Sequence, residues 1–522
     1  MSILSLEFLI LMAVLLVVYY CLPVRQRWLV LLAASLVFYA GAGVHGLVYL
    51  GVVSLITWAG GLYMGHSRAR EKEASGEEGK VKAGLIKKRR TRLLGLLVLL
   101  VIGGMAVIKY GELLYAGVNA LYTSLTRNVE PLPVWSLFAP LGLSYFTFQS
   151  VGYVVDCAWG KTQPEKNPLK YLLFVSFFPQ ITQGPITTHK QLMPQLLSPA
   201  RFDPATFVSG FQLALWGYFK KLVLADRLAP VTTVIAGWEK QPGWVFLLGV
   251  VLYTIRLYAD FSGGMDVIRG AAKMLGIEMA ENFRRPFFST SVAEYWRRWH
   301  ISLGAWFRSY LFYPLTTSRF GLALSKGGQR ILGKKVGRML PGVVATFVIF
   351  FLIGVWHTAN WNAVIYGAYF GVLLSGALLM EPIFKWLRTL LHIQPKAWWW
   401  EAFGLLRTWA LILVAQYFAF TAGPKQAIMQ LMGTFCNWDL SEMGVRLTGL
   451  MEPMEWCIAL AAMVLLLLVD ILCERGVDVN GRLAKGPLFI RWMVLIGLIL
   501  AVLVFGCYGE GFDGSAFLYT QF

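Results

Sequence analysis

The sequence predicts an all-α fold, a polytopic transmembrane helical bundle of about ten to thirteen membrane segments with added interfacial or re-entrant helices. Three observations carry this. Of 522 residues, 57% are apolar and only 14% charged, against about 45–50% and about 25% in a typical soluble domain. Apolar runs recur along the whole chain. The basic residues behind the formal charge of +19 lie between those runs, so they report membrane topology rather than nucleic-acid binding.

The runs Phe8 to Tyr20, Leu29 to Tyr39, Leu93 to Ile108, Val343 to Trp356, Thr408 to Phe420, Cys457 to Val469 and Met493 to Phe505 approach, with their flanks, the roughly 20 residues that cross a bilayer. The first is expected to be a retained helix rather than a cleaved signal peptide, because no basic residue precedes it and a second apolar run follows Pro23. Residues 1–65 form an N-terminal group of helices. Residues 66–92 form a basic loop with the composition of a disordered linker: Arg68 to Arg92 carries ten Lys or Arg against four Glu and is placed in the cytoplasm by the positive-inside rule. Residues 93–380 form the core, broken by turns at Pro131 to Pro133, Pro140 to Gly142, Gln183 to Pro185 and Gly263 to Gly264, and residues 381–522 form the C-terminal helices.

Asn282 to Leu315, NFRRPFFSTSVAEYWRRWHISLGAWFRSYLFYPL, is too charged to span a membrane and too aromatic for an ordinary loop. Ser291 with Glu294 predicts a capped helix from Val292, with Tyr295, Trp299, Ser302 and Trp306 near one face of an interfacial or re-entrant segment. Arg284 to Arg338 holds eleven basic residues against the single Glu294, which sets this segment at the cytoplasmic side. Arg284, Arg285, Arg297, Arg298 and Arg308 suit two ligands equally: the phosphates of coenzyme A or phosphopantetheine, and anionic lipid headgroups.

Of six histidines, His45, His66, His189 and His392 adjoin turns or charge clusters and are expected at the surface or interface. His357 closes the fourteen-residue apolar run from Val343, about 21 Å of helix. An ionisable group at that depth is a functional candidate, and a neutral imidazole suits proton removal from a hydroxyl. His300, among Arg297, Arg298 and Arg308, suits a place beside an anionic donor. Asp260 and Asp266 either order a helix break or hydrogen-bond a reacting group. The six cysteines show no CxxC or Cys/His spacing, so neither a zinc site nor a disulfide framework is predicted, and no histidine pair has helical metal-ligand spacing. No G-x-S-x-G is present for a serine hydrolase.

Several motifs resemble one family. PLGLSYFTFQSVGYVVD (Pro140 to Asp156), FFPQITQGPI (Phe177 to Ile186), YADFSGGMD (Tyr258 to Asp266), the segment containing WRRWHISL, GVWHTANWNAVIYGAYFG (Gly354 to Gly371) and the terminal FLYTQF are similar to the membrane-bound O-acyltransferases, within them the bacterial branch typified by alginate O-acetyltransferases. The resemblance implies a catalytic core within residues 93–380, a central tunnel, and His357 and His300 as catalytic residues. The candidate substrate-binding residues are Trp296, Arg297, Arg298, Trp299, Arg308, Trp356, Asn360, Asp260 and Asp266. The implied reaction moves an acetyl group from a cytoplasmic acyl thioester, acetyl-CoA or a carrier-bound acyl group, to hydroxyls of an extracytoplasmic polysaccharide or to a separate SGNH-type acetyltransferase partner. It implies a multi-pass protein of the bacterial inner membrane with no bound cofactor, no metal and no nucleic-acid partner. Thr358, Gly264 and Thr187 stand where the family often has Gly, an aromatic residue and a basic residue. Alternatives are D-alanyl transfer to teichoic acid from a phosphopantetheine carrier protein, a transporter or flippase without chemistry, and a structural subunit of an export complex.

Overall fold

A computed structural model describes residues 2–74, 76–126, 140–198, 201–358 and 360–508. The turn expected at Pro131 to Pro133 and the FLYTQF terminus lie outside the described residues. Within them the regular structure is helical throughout and no strand occurs. Among the described residues eight helices are long and apolar enough to cross a membrane: Val44–Glu73, Gly79–Thr126, Gly243–Met274, Arg319–His357, Trp361–Leu390, Trp398–Phe420, Pro453–Glu474 and Leu488–Phe505, with Leu6–Cys21 a shorter apolar helix. Ten to thirteen was the expectation. The difference arises where glycine and proline cut apolar sequence into pieces such as Leu143–Trp159, Pro168–Ser176 and Pro204–Tyr218. Burial separates the spans: 72% of the most apolar stretch of Gly243–Met274 is buried, but only 6% of that in Leu488–Phe505. An apolar helix left uncovered on nearly every side requires a lipid surround, and the chain is a multi-pass membrane protein.

The described residues divide into two compact units, Met1–Phe211 with Ile268–Ala280, and Gln212–Val267 with Glu281–Phe522. At the centre of the first unit is Leu143–Trp159, buried along nearly its whole length. Left-handed glycines bound it, Gly142 (φ +66°) and Gly160 (φ +72°), and a side chain at Gly142 would strike the carbonyl of Ile181. Its polar groups are turned inward: Gln149 Nε2 donates to Gln180 Oε1 (2.5 Å), and Gln180 Nε2 to the Pro185 carbonyl (3.3 Å). The basic stretch 66–92 is helical rather than a linker, being the continuation of Val44–Glu73 and of Gly76–Thr126 around a break near Ala74. An ion pair between Glu71 and Arg90 ties the two together.

His45, His66 and His392 are exposed, but His189 is buried, 8% accessible. Its ring lies against Tyr153 (4.9 Å) and Phe174 (5.2 Å), because the Thr188 cap and Gln191 turn the helix His189–Leu197 inward. Burial pushes His189 down to about 4, against the pull of Glu165. A histidine whose folded pKa is depressed contributes stability that is complete above its unfolded value of about 6.5 and is lost as pH falls toward the folded one. Acidification from pH 7.5 to 4.5 is therefore expected to lower the unfolding midpoint in detergent, with His189 contributing up to about 3 kcal/mol. His189→Gln should flatten that dependence, and an unchanged pH slope would contradict the buried placement.

Candidate active site

In the second unit, Asn282 to Leu315 folds back on itself. Ser291 Oγ accepts from Glu294 N (3.2 Å) and opens Val292–Arg298 as expected, while the Glu294 carboxylate accepts from Thr290 N and Oγ1 (3.0 Å each). The helix then stops. Trp299 is extended and His300 adopts φ +46°, ψ +54°, so Ile301–Phe307 is a second helix rather than the continuation that the aromatic periodicity suggested. Arg285, also at φ +46°, makes the matching turn upstream. Each such residue costs about 1–2 kcal/mol. Hydrogen bonds hold the shape: Ile301 N to the Asn282 carbonyl (3.0 Å), Ser302 N to Asn282 Oδ1 (2.8 Å) and Arg284 N to the Arg298 carbonyl (2.9 Å).

His300 is consequently buried, 2% accessible, edge-on to Phe261 at 5.0 Å. Burial, and then the charge of nearby His357, hold it well below the usual histidine range, so it is a neutral imidazole close to His357 rather than a group in the arginine pocket described below.

His357 ends Arg319–His357, and after Thr358 and the Asn360 cap the chain returns in Trp361–Leu390. The two helices meet closely at Gly354, where a side chain would strike Gly367 Cα. Half-buried His357 opens into a cavity of about 100 Å³ lined by Leu257, Trp296, Trp299, Thr358, Asn360, Asn362, Tyr366 and Thr421 among others. Trp299 stacks on Tyr295 (5.6 Å, 15°). The Trp356 ring rests against that of His357 at 4.7 Å. Asn360 Oδ1 accepts from Ala363 N (2.8 Å) and so fixes the helix start beside the imidazole.

A second cavity of about 470 Å³ gathers Arg284, Arg285, Arg297, Arg298 and Arg308 with Trp296, Glu294 and Glu474. The carboxylates divide the arginines. Glu474 binds Arg285 (2.7 Å) and Arg298 (2.8 Å), Arg298 also meets Glu294 (2.7 Å), and Arg284 pairs loosely with Glu281 (3.4 Å). Exposed Arg297 and Arg308 have no ion pair among the described residues. Trp296 is a wall of both cavities.

Asp260 and Asp266 line neither cavity. Lys221 Nζ contacts Asp260 Oδ1 (2.6 Å) and Asp226 Oδ1 (2.7 Å), while Lys220 Nζ contacts Asp266 Oδ2 (2.7 Å) and Ser262 Oγ (2.9 Å). Lys221 is 1% accessible. Burial pushes Asp226 up to about 6 although Lys221 draws it down. These lysines, with Asn282, Asn362 and Glu474, were not singled out from sequence. Lys220 and Lys221 did carry a signal, since two adjacent charges stand in the apolar stretch LALWGYFKKLVLA. Glu474 gave none, because only the fold brings it to the arginines. Among the described residues no three His, Cys, Asp or Glu side chains are grouped as metal ligands.

An apolar multi-span bundle with a histidine at one cavity and a cluster of arginines at another that shares its Trp296 wall defines a polytopic membrane protein. The chain belongs to the membrane-bound O-acyltransferase family, which it matches over residues 165–414, and it is an acyltransferase. It is 31% identical over 435 residues to the probable alginate O-acetylase of Azotobacter vinelandii, covering 83% of this chain and 78% of that one. It is 29% identical over 317 residues to the peptidoglycan O-acetyltransferase of Helicobacter pylori, 55% of each chain. It is 30% identical over 269 residues to the teichoic acid D-alanyltransferase of Bacillus subtilis, covering 49% of this chain and 64% of that one.

Proposed function

We propose that this protein is an O-acetyltransferase of the bacterial inner membrane that moves an acetyl group from a cytoplasmic thioester to hydroxyls of an extracytoplasmic polysaccharide, directly or through a partner enzyme. The observation that carries this reading is the shared wall: Trp296 borders both the His357 cavity and the arginine pocket. A donor whose phosphates rest on Arg297 and Arg308 extends its thioester past Trp296 to His357. The Trp296 indole N–H, buried with no acceptor among the described residues, donates to the thioester carbonyl. His357 takes the proton of the acceptor hydroxyl, whose oxygen attacks the carbonyl carbon; the carbon–sulfur bond then breaks and the thiolate leaves toward the donor side. Asp260 and Asp266 keep a structural place. The similarity to alginate O-acetylases over 83% of the chain favours acetyl transfer to a polysaccharide over D-alanyl transfer, whose relative covers 49%.

The donor pocket is tested with two thioesters. Arg297→Gln combined with Arg308→Gln is expected to raise the KM for acetyl-CoA at least about tenfold, the effect of losing hydrogen bonds to a charged partner. The KM for S-acetylpantetheine, which has no phosphate, should stay unchanged. Equal changes for both donors would contradict the pocket's role. Sensitivity to anionic lipid content with no change in either KM would assign the arginines to headgroups.

A further inference from the structure

One cavity group has no task in the transfer just described. Asn362 is 4% accessible and lines the cavity with His357. Its Nδ2 donates to the Thr421 carbonyl at 2.7 Å, which fixes the amide orientation, because a carbonyl cannot take the other end. Oδ1 is then a pure acceptor, and it meets no donor among the described residues. Two neighbouring polar groups are engaged: Asn360 Oδ1 takes Ala363 N, and the Thr421 hydroxyl donates to the Tyr417 carbonyl (2.9 Å). A buried acceptor without a donor costs about 1–3 kcal/mol, so a bound molecule that brings an O–H or N–H is favoured here.

We propose that Asn362 recognises the acceptor: its Oδ1 takes a hydrogen bond from a second hydroxyl of a polyhydroxylated, carbohydrate-like molecule whose first hydroxyl is presented to His357. This rests on the acyl-transfer reading of His357. The thioester group itself cannot supply that hydrogen, since it has a carbonyl oxygen, a sulfur and a methyl group but no N–H or O–H, and the nearest N–H of a pantetheine donor is two carbons beyond the sulfur. The acceptor presents both hydroxyls to the same cavity, one toward His357 and one toward Asn362. Asn362 is in this sense a specificity-determining residue, selecting a diol edge over a lone alcohol or water.

The test uses the full chain in detergent with radiolabelled acetyl-CoA and glycerol as a diol probe, measuring acetylglycerol and free acetate. In Asn362→Ala the ratio of glycerol KM to acetyl-CoA KM is expected to rise about tenfold, the loss of one well-placed hydrogen bond. Asn362→Asp also loses the bond to Thr421 but keeps an acceptor oxygen, and its ratio should stay within about twofold of wild type. If both variants lose turnover with the ratio unchanged, Asn362 is only a structural tie and the proposal fails. It also fails if wild type releases acetate through His357 yet never acetylates glycerol at any concentration. Thioester turnover that His357→Ala leaves intact would instead overturn the acyl-transfer reading, and the Asn362 proposal with it.

Discussion

His357→Ala is expected to lower acetyl transfer from acetyl-CoA by about 10²–10⁴-fold, the range contributed by a positioned general base. A hydroxyl attacks a thioester slowly unless its proton leaves as the new bond forms, and His357 is the histidine that lines the cavity. The variant should still fold, because the imidazole is half-buried at a helix end and alanine is accepted there. Wild-type unfolding in detergent, together with an unchanged KM for acetyl-CoA, separates lost chemistry from lost structure. A transporter, a flippase or a structural subunit gives a different result: surface modification persists in His357→Ala. Equal rates in the two proteins would remove His357 from the reaction.

Lys221→Met is expected to destabilise the second unit by about 3–5 kcal/mol, the cost of leaving buried charge without its partner. Lys221 is 1% accessible and serves two carboxylates at once, Asp226 and Asp260, themselves 6% and 1% accessible. Methionine keeps the volume of the stem but removes the cation hydrogen-bonded to both carboxylates, leaving them only the longer-range charge of Arg256. Lys220→Met should cost less, since it removes a cation from one carboxylate, Asp266, which is more exposed. Adding Asp226→Asn and Asp260→Asn to Lys221→Met should restore much of the loss, as replacing a whole buried ionic cluster is tolerated better than breaking it. Thermal unfolding in detergent reads all these variants. A Lys221→Met protein as stable as wild type would show that the cluster contributes little.

The membrane bundle was legible because its signal is additive over hundreds of residues: apolar runs of sufficient length, with charge confined between them. The number of spans was less so, because hydropathy does not say whether a run such as Leu143 to Trp159 is one membrane helix or a buried piece shorter than a span. The candidate site was read from local sequence where it is local. His357, Asn360, Trp296 and Trp299 do line one cavity, and Arg297, Arg298 and Arg308 line the other. Long-range geometry was not readable. The break at His300 depends on Asn282, eighteen residues earlier, and no helical periodicity announces it. Asp260 and Asp266 stood out as carboxylates in an apolar context, but their partners lie some forty residues away, so only the fold shows that lysines occupy them. His189 looked like a surface residue beside a turn, and packing against Tyr153 and Phe174 buried it.

The most direct test of the central claim is sidedness. The purified protein is reconstituted in proteoliposomes, radiolabelled acetyl-CoA is supplied on the side of the arginine pocket, and acetylation of a membrane-impermeant hydroxylated polymer enclosed on the other side is measured. Label on the enclosed polymer with wild type and none with His357→Ala is the predicted result. Label that appears only on the donor's side, or equally with both proteins, would contradict transfer across the membrane through His357.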